Sequence, residues 1–336
     1  MNPESLARQL EALLVDSGEA VGPIVDLRRR PSRYRSTHAL DEVDLRFADG
    51  SRRVLLLKGY GASSTRGGSA VRPSFVTDPY RELWAYEQVL SRLAVRTPRL
   101  YGTLRGDGDN DRMVIERSPG VELYDEGDPE AWASAARWLG EFHTRGRRLV
   151  GDLLGCGHLL IQDSILHRHW LRRAQRFALG RGRRGVIARL RALADPYRRA
   201  IAFLEREPRT LLHGEYYASN VLVCRTGAGW SVSPVDWESL AIGPAALDVA
   251  ALISGGWDRE TRARMISAHA ETVAEGADAP ASTAICAAEL VIAVQWLGWS
   301  DRWTPPPQHA HDWLHVATDA AARLQALGQE QFLGSS

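Results

Sequence analysis

The sequence predicts an α+β protein of two lobes, a smaller strand-rich lobe over residues 1–117 and a larger, mainly helical lobe over residues 118–336. Three observations predict it. The chain has 336 residues, more than one core usually supports, since single cores stop growing at roughly 250 to 300 residues. Its first third carries short apolar runs and period-two alternation bounded by turn residues, the pattern of strands. Most of the remainder repeats apolar residues at the spacing of amphipathic helices.

The elements follow in order. An amphipathic helix pattern opens the chain at 1–14, without the basic and apolar regions of a signal peptide. Strands are expected at 24–27, at 42–47, where Glu42, Asp44 and Arg46 alternate with Val43, Leu45 and Phe47, and at 54–58, which ends in Lys58. Asp49-Gly50 supplies the hairpin turn between the last two. The Gly- and Ser-rich stretch 59–74 reads as a loop. Asp78 and Pro79 suit the N-cap and first position of a helix running to about Leu93. Further strands are expected at 95–104 and 113–116, and residues 117–120 break the pattern as a linker. Helices are then expected over 129–145, 165–177, 186–204, 261–275, 283–303 and 314–327. One β-hairpin interrupts them: a polar loop at 213–220 leads into a strand at 221–224, a turn, and a return strand at 230–235.

Composition narrows the function classes. With 44% hydrophobic and 25% charged residues the chain is globular rather than disordered or fibrous. A net charge of +1 provides no global field for nucleic acid or an anionic membrane, so neither is an expected partner. Cys156, Cys224 and Cys286 are odd in number and far apart, which indicates neither a disulfide framework nor a zinc knuckle and suits the cytoplasm. The longest apolar stretch, 285–299, is short and broken by Glu289 and Gln295, so no membrane span is expected. The 42 basic residues comprise 41 arginines and one lysine, Lys58. Its retention is either chance in an arginine-biased chain or a need for a compact ammonium that guanidinium cannot imitate.

The strongest chemical signal is His213-Gly-Glu215-Tyr-Tyr-Ala-Ser-Asn220, followed sixteen residues later by Asp236. Phosphoryl transfer needs a carboxylate near the acceptor hydroxyl, oxygen ligands for Mg²⁺ and a cation on the phosphates. Glu215, Asn220 and Asp236 offer the oxygens, and a hairpin between 221 and 235 would return Asp236 to the loop. Lys58 offers the cation.

On these residues the chain resembles the aminoglycoside phosphotransferase and choline kinase family, a branch of the protein-kinase-like fold. Leu55-Leu-Leu-Lys58 is similar to the family's phosphate-binding strand, and Arg81-Glu82-Leu-Trp-Ala-Tyr86 to the helix whose glutamate pairs with that lysine. Val114-Ile-Glu116 followed by Gly120 resembles the hinge that holds adenine through backbone groups. His213 to Asn220 resembles the catalytic loop, Asp236 falls at the metal-binding aspartate, and Gly243-Pro-Ala-Ala-Leu-Asp248 resembles the segment that follows. The resemblance implies a bilobal kinase-like fold and an ATP- and Mg²⁺-dependent phosphotransferase acting on a small-molecule hydroxyl, such as that of an antibiotic or other natural product. It implies Glu215 and His213 as catalytic residues, Asn220 and Asp236 as metal ligands, and Lys58, Glu82, Glu116 and Ser36 as nucleotide-binding residues.

Two departures stand out. Glu215 replaces the family's aspartate, and 31–37 carries no Gly-rich signature but a Ser-containing segment with Ser36. The longer side chain opens a second reading, a non-catalytic relative that binds nucleotide or sequesters a ligand. A third, a peptide Ser/Thr kinase, draws on the eleven arginines between 168 and 199 but lacks an activation segment, since Gly243 follows Asp236 closely. Those arginines form either an anion-attracting patch or a solvated helical face. Trp296, Trp299 and Trp303 share one helical face, which either packs in the core or walls an acceptor pocket. His143 reads as structural, and His309, His311 and Asp312 as the surface start of a helix rather than a metal cluster.

Overall fold

The computed structural model describes residues 2–19, 22–33, 38–61, 72–106, 111–273, 279–299 and 307–333. The chain divides into two compact units, Met1–Arg92 with Arg96–Pro119, and Leu93–Val95 with Gly120–Ser336.

The first unit opens with α1 (Pro3–Asp16), capped by Asn2, whose side chain accepts the Ser5 N–H at 2.7 Å. Its strands β1 (Ile24–Pro31), β2 (Leu40–Phe47), β3 (Arg52–Gly59), β4 (Leu100–Leu104) and β5 (Arg112–Glu116) form one antiparallel sheet in the order β1-β2-β3-β5-β4. Leu6, Leu10 and Leu14 share a core cluster with Val43, Leu45, Leu55 and Leu57, so the helical repeat of α1 meets the period-two rows of β2 and β3. Alternation then sends Lys58 to the other face, where α2 (Arg81–Gln88) contributes Glu82. β1 runs to Pro31 because the polar residues 28–31 pair with Asp41 to Asp44, an edge pairing that hydrophobic pattern does not reveal. α2 starts later than expected. Asp78 accepts the Tyr80 N–H at 2.9 Å and so closes a turn ahead of the helix instead of capping it.

The second unit runs β6 (Val121–Glu122), α3 (Pro129–Arg147), α4 (Val150–Leu153), β7 (Leu160–Ile161), α5 (Ser164–Gly180), α6 (Arg184–Ala192), α7 (Ala194–Leu204), β8 (Arg209–Leu212), β9 (Val221–Thr226), β10 (Gly229–Pro234), β11 (Ala241–Pro244), α8 (Ala246–Leu252), α9 (Arg259–Glu271), α10 (Ser282–Trp299) and α11 (Trp313–Leu333). The expected helix over 186–204 is two, broken at Leu193 just before Pro196, which takes a first-turn position of α7. α10 is the central helix: it contacts α5, α7, α8 and α11 and is apolar on every side. By length and composition it could cross a membrane, but it is mostly buried inside the unit, as a core helix is. Its one acid, Glu289, pairs with Arg262 at 2.6 Å and Arg323 at 3.0 Å. All eleven arginines of 168–199 are exposed except Arg173, as a solvated face or an anion-attracting patch would have them. Two three-stranded sheets, β10-β9-β6 and β7-β11-β8, frame the loop between β8 and β9.

Candidate active site

The loop after β8 is held from three sides. Asp248, 1% exposed on α8, accepts the backbone N–H groups of His213 and Gly214 at 2.7 and 3.0 Å. Gly214 has φ +84°, and a Cβ there would stand 2.1 Å from the Ser239 carbonyl oxygen, so only glycine fits this crossing. His213 is fully buried over Trp237, with ring centroids 4.5 Å apart. Its Nε2 lies 2.9 Å from the Val235 carbonyl and must donate, while Nδ1 accepts the Glu215 N–H at 3.4 Å, which fixes one neutral tautomer.

The same contacts join the loop to the returning strand. β9 and β10 pair Val221 with Pro234, and the Val235 N–H then donates to the Asn220 carbonyl at 2.9 Å. Asn220 Nδ2 donates to the Glu215 carbonyl at 2.9 Å, leaving Oδ1 as the amide oxygen available to a cation. Asp236 follows at φ 65° and ψ 64°, the one non-glycine residue with positive φ among the described residues. Such backbone geometry is sparsely populated and concentrates at functional sites. His213, Glu215, Asn220 and Asp236 are thereby brought together. Asn220 Oδ1 and the Asp236 carboxylate are hard oxygen donors of the kind Mg²⁺ takes.

In the first unit Lys58 Nζ lies 2.6 Å from the Glu82 carboxylate, the two side chains being 13% and 8% exposed. Glu116 ends β5, and its carboxylate accepts the Arg99 N–H at 3.1 Å and pairs with Arg96 at 3.4 Å, so its side chain is directed to that surface pair. Ser36 lies outside the described residues.

Two features escaped the sequence reading. The first is a buried chain of groups beneath the loop: His143 Nε2 lies 3.3 Å from Asp248, and His143 Nδ1 lies 3.0 Å from His269 Nε2. Burial, and then the neighbouring His143, push His269 down to about 3, so it is neutral. The helices α3 and α9 come this close because Gly140 presents no side chain, and a Cβ there would meet Thr272 Oγ1 at 2.1 Å. His143 itself is buried, in keeping with a structural role. Asp248 carries the signal that was readable, a lone acid at the end of an apolar segment.

The second is a cavity of about 310 Å³ within the second unit, bounded on one side by Tyr217, Ala218 and Ser219 of the loop. Tyr124, Trp132 and Trp257 form aromatic walls, and His309 and His311 line it as well. The surface position expected for His309 is wrong. Its ring stacks on Trp296 at 4.8 Å, and Nε2 lies 3.1 Å from Ser219 Oγ, while burial lowers its pKa to about 4. Among the described residues no group of His, Cys, Asp and Glu side chains is placed to hold a metal ion. Trp296 donates to the Tyr217 hydroxyl at 2.9 Å and stacks on Trp313 at 5.3 Å, whereas Trp299 stacks on Trp170 in the core. Trp303 lies outside the described residues.

Comparison with known proteins gives the family and the fold. Residues 77–284 match the family described as the Phosphotransferase enzyme family. Among solved structures, choline kinase from Cryptosporidium parvum Iowa II aligns with a TM-score of 0.59 at 15% identity, covering 99% of this chain and 97% of its own. An aminoglycoside phosphotransferase from Alicyclobacillus acidocaldarius subsp. acidocaldarius DSM 446 aligns with a TM-score of 0.51 at 18% identity, covering 90% and 92%. The GDP complex of wild-type aminoglycoside 2'-phosphotransferase-IIIa aligns with a TM-score of 0.56 at 11% identity, covering 96% and 99%. No curated protein matches by sequence.

Proposed function

The chain belongs to the phosphotransferase enzyme family, with its kinase-like α+β fold, and on that premise we propose that it moves the γ-phosphoryl group of ATP to a hydroxyl of a small molecule in the cytoplasm. The observation that supports the reading is the hydrogen-bonded return of Val235, the residue before Asp236, to the His213 ring and the Asn220 carbonyl. Asn220 Oδ1 and the Asp236 carboxylate would hold Mg²⁺, which when bound neutralises charge on the nucleotide phosphates. Lys58, oriented by Glu82, supplies a point charge for the phosphates. Backbone groups around Glu116 take the adenine, and Ser36 belongs to the segment that covers the phosphates. Glu215 orients the acceptor hydroxyl and takes its proton as the oxygen bonds to phosphorus and ADP leaves. His213 acts through the loop: its buried ring positions Glu215 and Val235.

One observation favours a second reading. Glu215 is one methylene longer than the family's aspartate, and misplacement by about 1 Å can cost on the order of 10²-fold in rate. A binding protein descended from a kinase would tolerate that change. The two readings part on transfer. Incubation with ATP or GTP, Mg²⁺ and a panel of hydroxyl compounds should yield ADP or GDP together with a phosphorylated product. Nucleotide binding with no phosphorylated product from any compound would favour the binding protein.

A further inference from the structure

The cavity beside the loop carries information about the acceptor. Resting on the kinase reading above, we propose that this cavity is the acceptor site for an uncharged, hydroxyl-rich ring, a sugar or cyclitol, and not for a cationic amine. Size is the first argument. A cavity of about 310 Å³ is at the lower end of small-molecule sites, which span roughly 300 to 1,000 Å³, so its walls have room for one ring, with its open side left to solvent.

Wall chemistry is the second. Trp132 and Trp257 meet edge to face, with centroids 4.4 Å apart and planes at 68°, and so make a corner of two aromatic surfaces. No carboxylate occurs among the described lining residues. Apart from Glu215, which the kinase reading sets against one acceptor hydroxyl, a polycation brought into such a site would lose its hydration without gaining a counter-charge from the walls, which is unfavourable.

The polar groups decide between a neutral polyol and a single cation held by aromatic faces alone. The Ser219 and Ser254 hydroxyls and the neutral His309 imidazole both give and accept hydrogen bonds, and His311 adds a second imidazole to the lining. Hydroxyls need both kinds of partner, whereas a quaternary ammonium has neither a proton to give nor a lone pair to accept. Ser254 Oγ already donates to the Ala251 carbonyl at 2.7 Å, so its lone pairs are what it offers a ligand. Trp257 Nε1 is buried next to Gly255 and has no acceptor among the described residues. An oxygen would satisfy that indole N–H, and a cation would not.

The cavity is also held in shape. Trp313 Nε1 donates to the His309 carbonyl at 3.0 Å, and Trp296 lies between the His309 and Trp313 rings while donating to Tyr217. His309 is thereby fixed against Ser219, two residues on from Tyr217 in the same loop that carries Glu215. A ring hydroxyl seated here is on the loop's side of the cavity, as transfer requires.

The test uses the full chain with Mg·ATP and two acceptor sets: glucose, galactose, ribose and myo-inositol as neutral rings, and choline, ethanolamine and kanamycin as cations. Phosphorylated product is identified by mass. Product from the neutral set alone is expected, and Trp257→Ala should raise the acceptor KM at least about 10-fold with a smaller effect on kcat, while Trp257→Phe, which keeps the aromatic wall but not the N–H, recovers only part of the affinity. Faster turnover of any cation than of every neutral ring overturns the assignment, as does an unchanged acceptor KM in Trp257→Ala. If no compound in either set is phosphorylated although Mg·ATP binds, the kinase reading fails by itself. The cavity assignment then stands on neutral rings quenching tryptophan fluorescence in the parent and not in Trp257→Ala, and falls if they quench neither.

Discussion

Asp248 accepts the His213 backbone N–H at 2.7 Å from a position almost closed to solvent. With the second bond to Gly214, one carboxylate on α8 holds the first two residues of the loop that carries Glu215 and Asn220. Through these two bonds it positions the loop. Both partners are N–H donors, and this pair of bonds requires an acceptor at each oxygen.

Asp248→Asn tests that requirement. The amide keeps one acceptor and turns an NH₂ group toward the other donor, so one bond becomes a repulsive contact. A hydrogen bond to a charged group is worth about 1.5–3 kcal/mol, which corresponds to roughly 10- to 100-fold in rate if the loop must be rebuilt at each turnover. Steady-state kinetics should show kcat falling by that factor, with a lower Tm. A parental kcat would mean that the Gly214 and Ser239 crossing holds the loop unaided.

Lys58→Arg is nominally conservative but should not be tolerated. The ammonium sits 2.6 Å from Glu82, and both side chains are largely buried, so a wider planar fork must push one of them aside. Displacing the charge by about 1 Å should lower kcat/KM for Mg·ATP by roughly 10²-fold. Kinetics at the parental level would show that the single lysine among 41 arginines is coincidence.

Acid should destabilise the protein through its buried imidazoles. His269 is pushed from its ordinary 6.5 to about 3, and His167 to about 4, in both cases chiefly by desolvation. Between those values and 6.5 the unfolded chain binds protons that the folded chain does not, so stability is complete above about pH 6.5 and falls as pH drops toward 3. His269→Gln keeps a donor for His143 Nδ1 and does not titrate. Tm measured between pH 7.5 and 5 should decline in both proteins, and less steeply in the variant; equal slopes would remove His269 as a source.

Local rules made parts of this molecule legible before any coordinates. The alternation of Val43, Leu45 and Phe47 names β2 and its buried face, and the interval from Asn220 to Asp236 is the length of one hairpin, as β9 and β10 show. Contacts between distant residues were not legible. His143 and His269 are 126 positions apart and meet only because Gly140 lets two helices touch. The corner of Trp132 and Trp257 likewise depends on tertiary packing between residues 125 positions apart. β6 and β7 are two residues each, too short to show any period. His309 was misplaced because the prolines before it suggest a surface turn, whereas Trp296 and Ser219 draw it inward.

Glu215 and Asp236 share a carboxylate and should fail differently when altered. Asp236→Ala removes a proposed metal ligand at a residue held at φ 65°, so turnover should be abolished and Mg²⁺-dependent nucleotide affinity reduced. Glu215→Gln keeps the shape and loses the base. It should lower kcat by about 10²- to 10⁴-fold, the usual range for a positioned acid or base, and leave the Kd for Mg·ATP within a few-fold of the parent. Glu215→Asp is the sharper variant. The Glu215 carbonyl is fixed by the Tyr217 N–H at 2.7 Å and the Asn220 side chain at 2.9 Å, so the backbone cannot advance to recover a lost methylene. A loop adapted to glutamate therefore loses activity with the shorter carboxylate, measured as kcat at saturating Mg·ATP. A large gain in Glu215→Asp would instead identify the native glutamate as a damping substitution and the native protein as principally a binder.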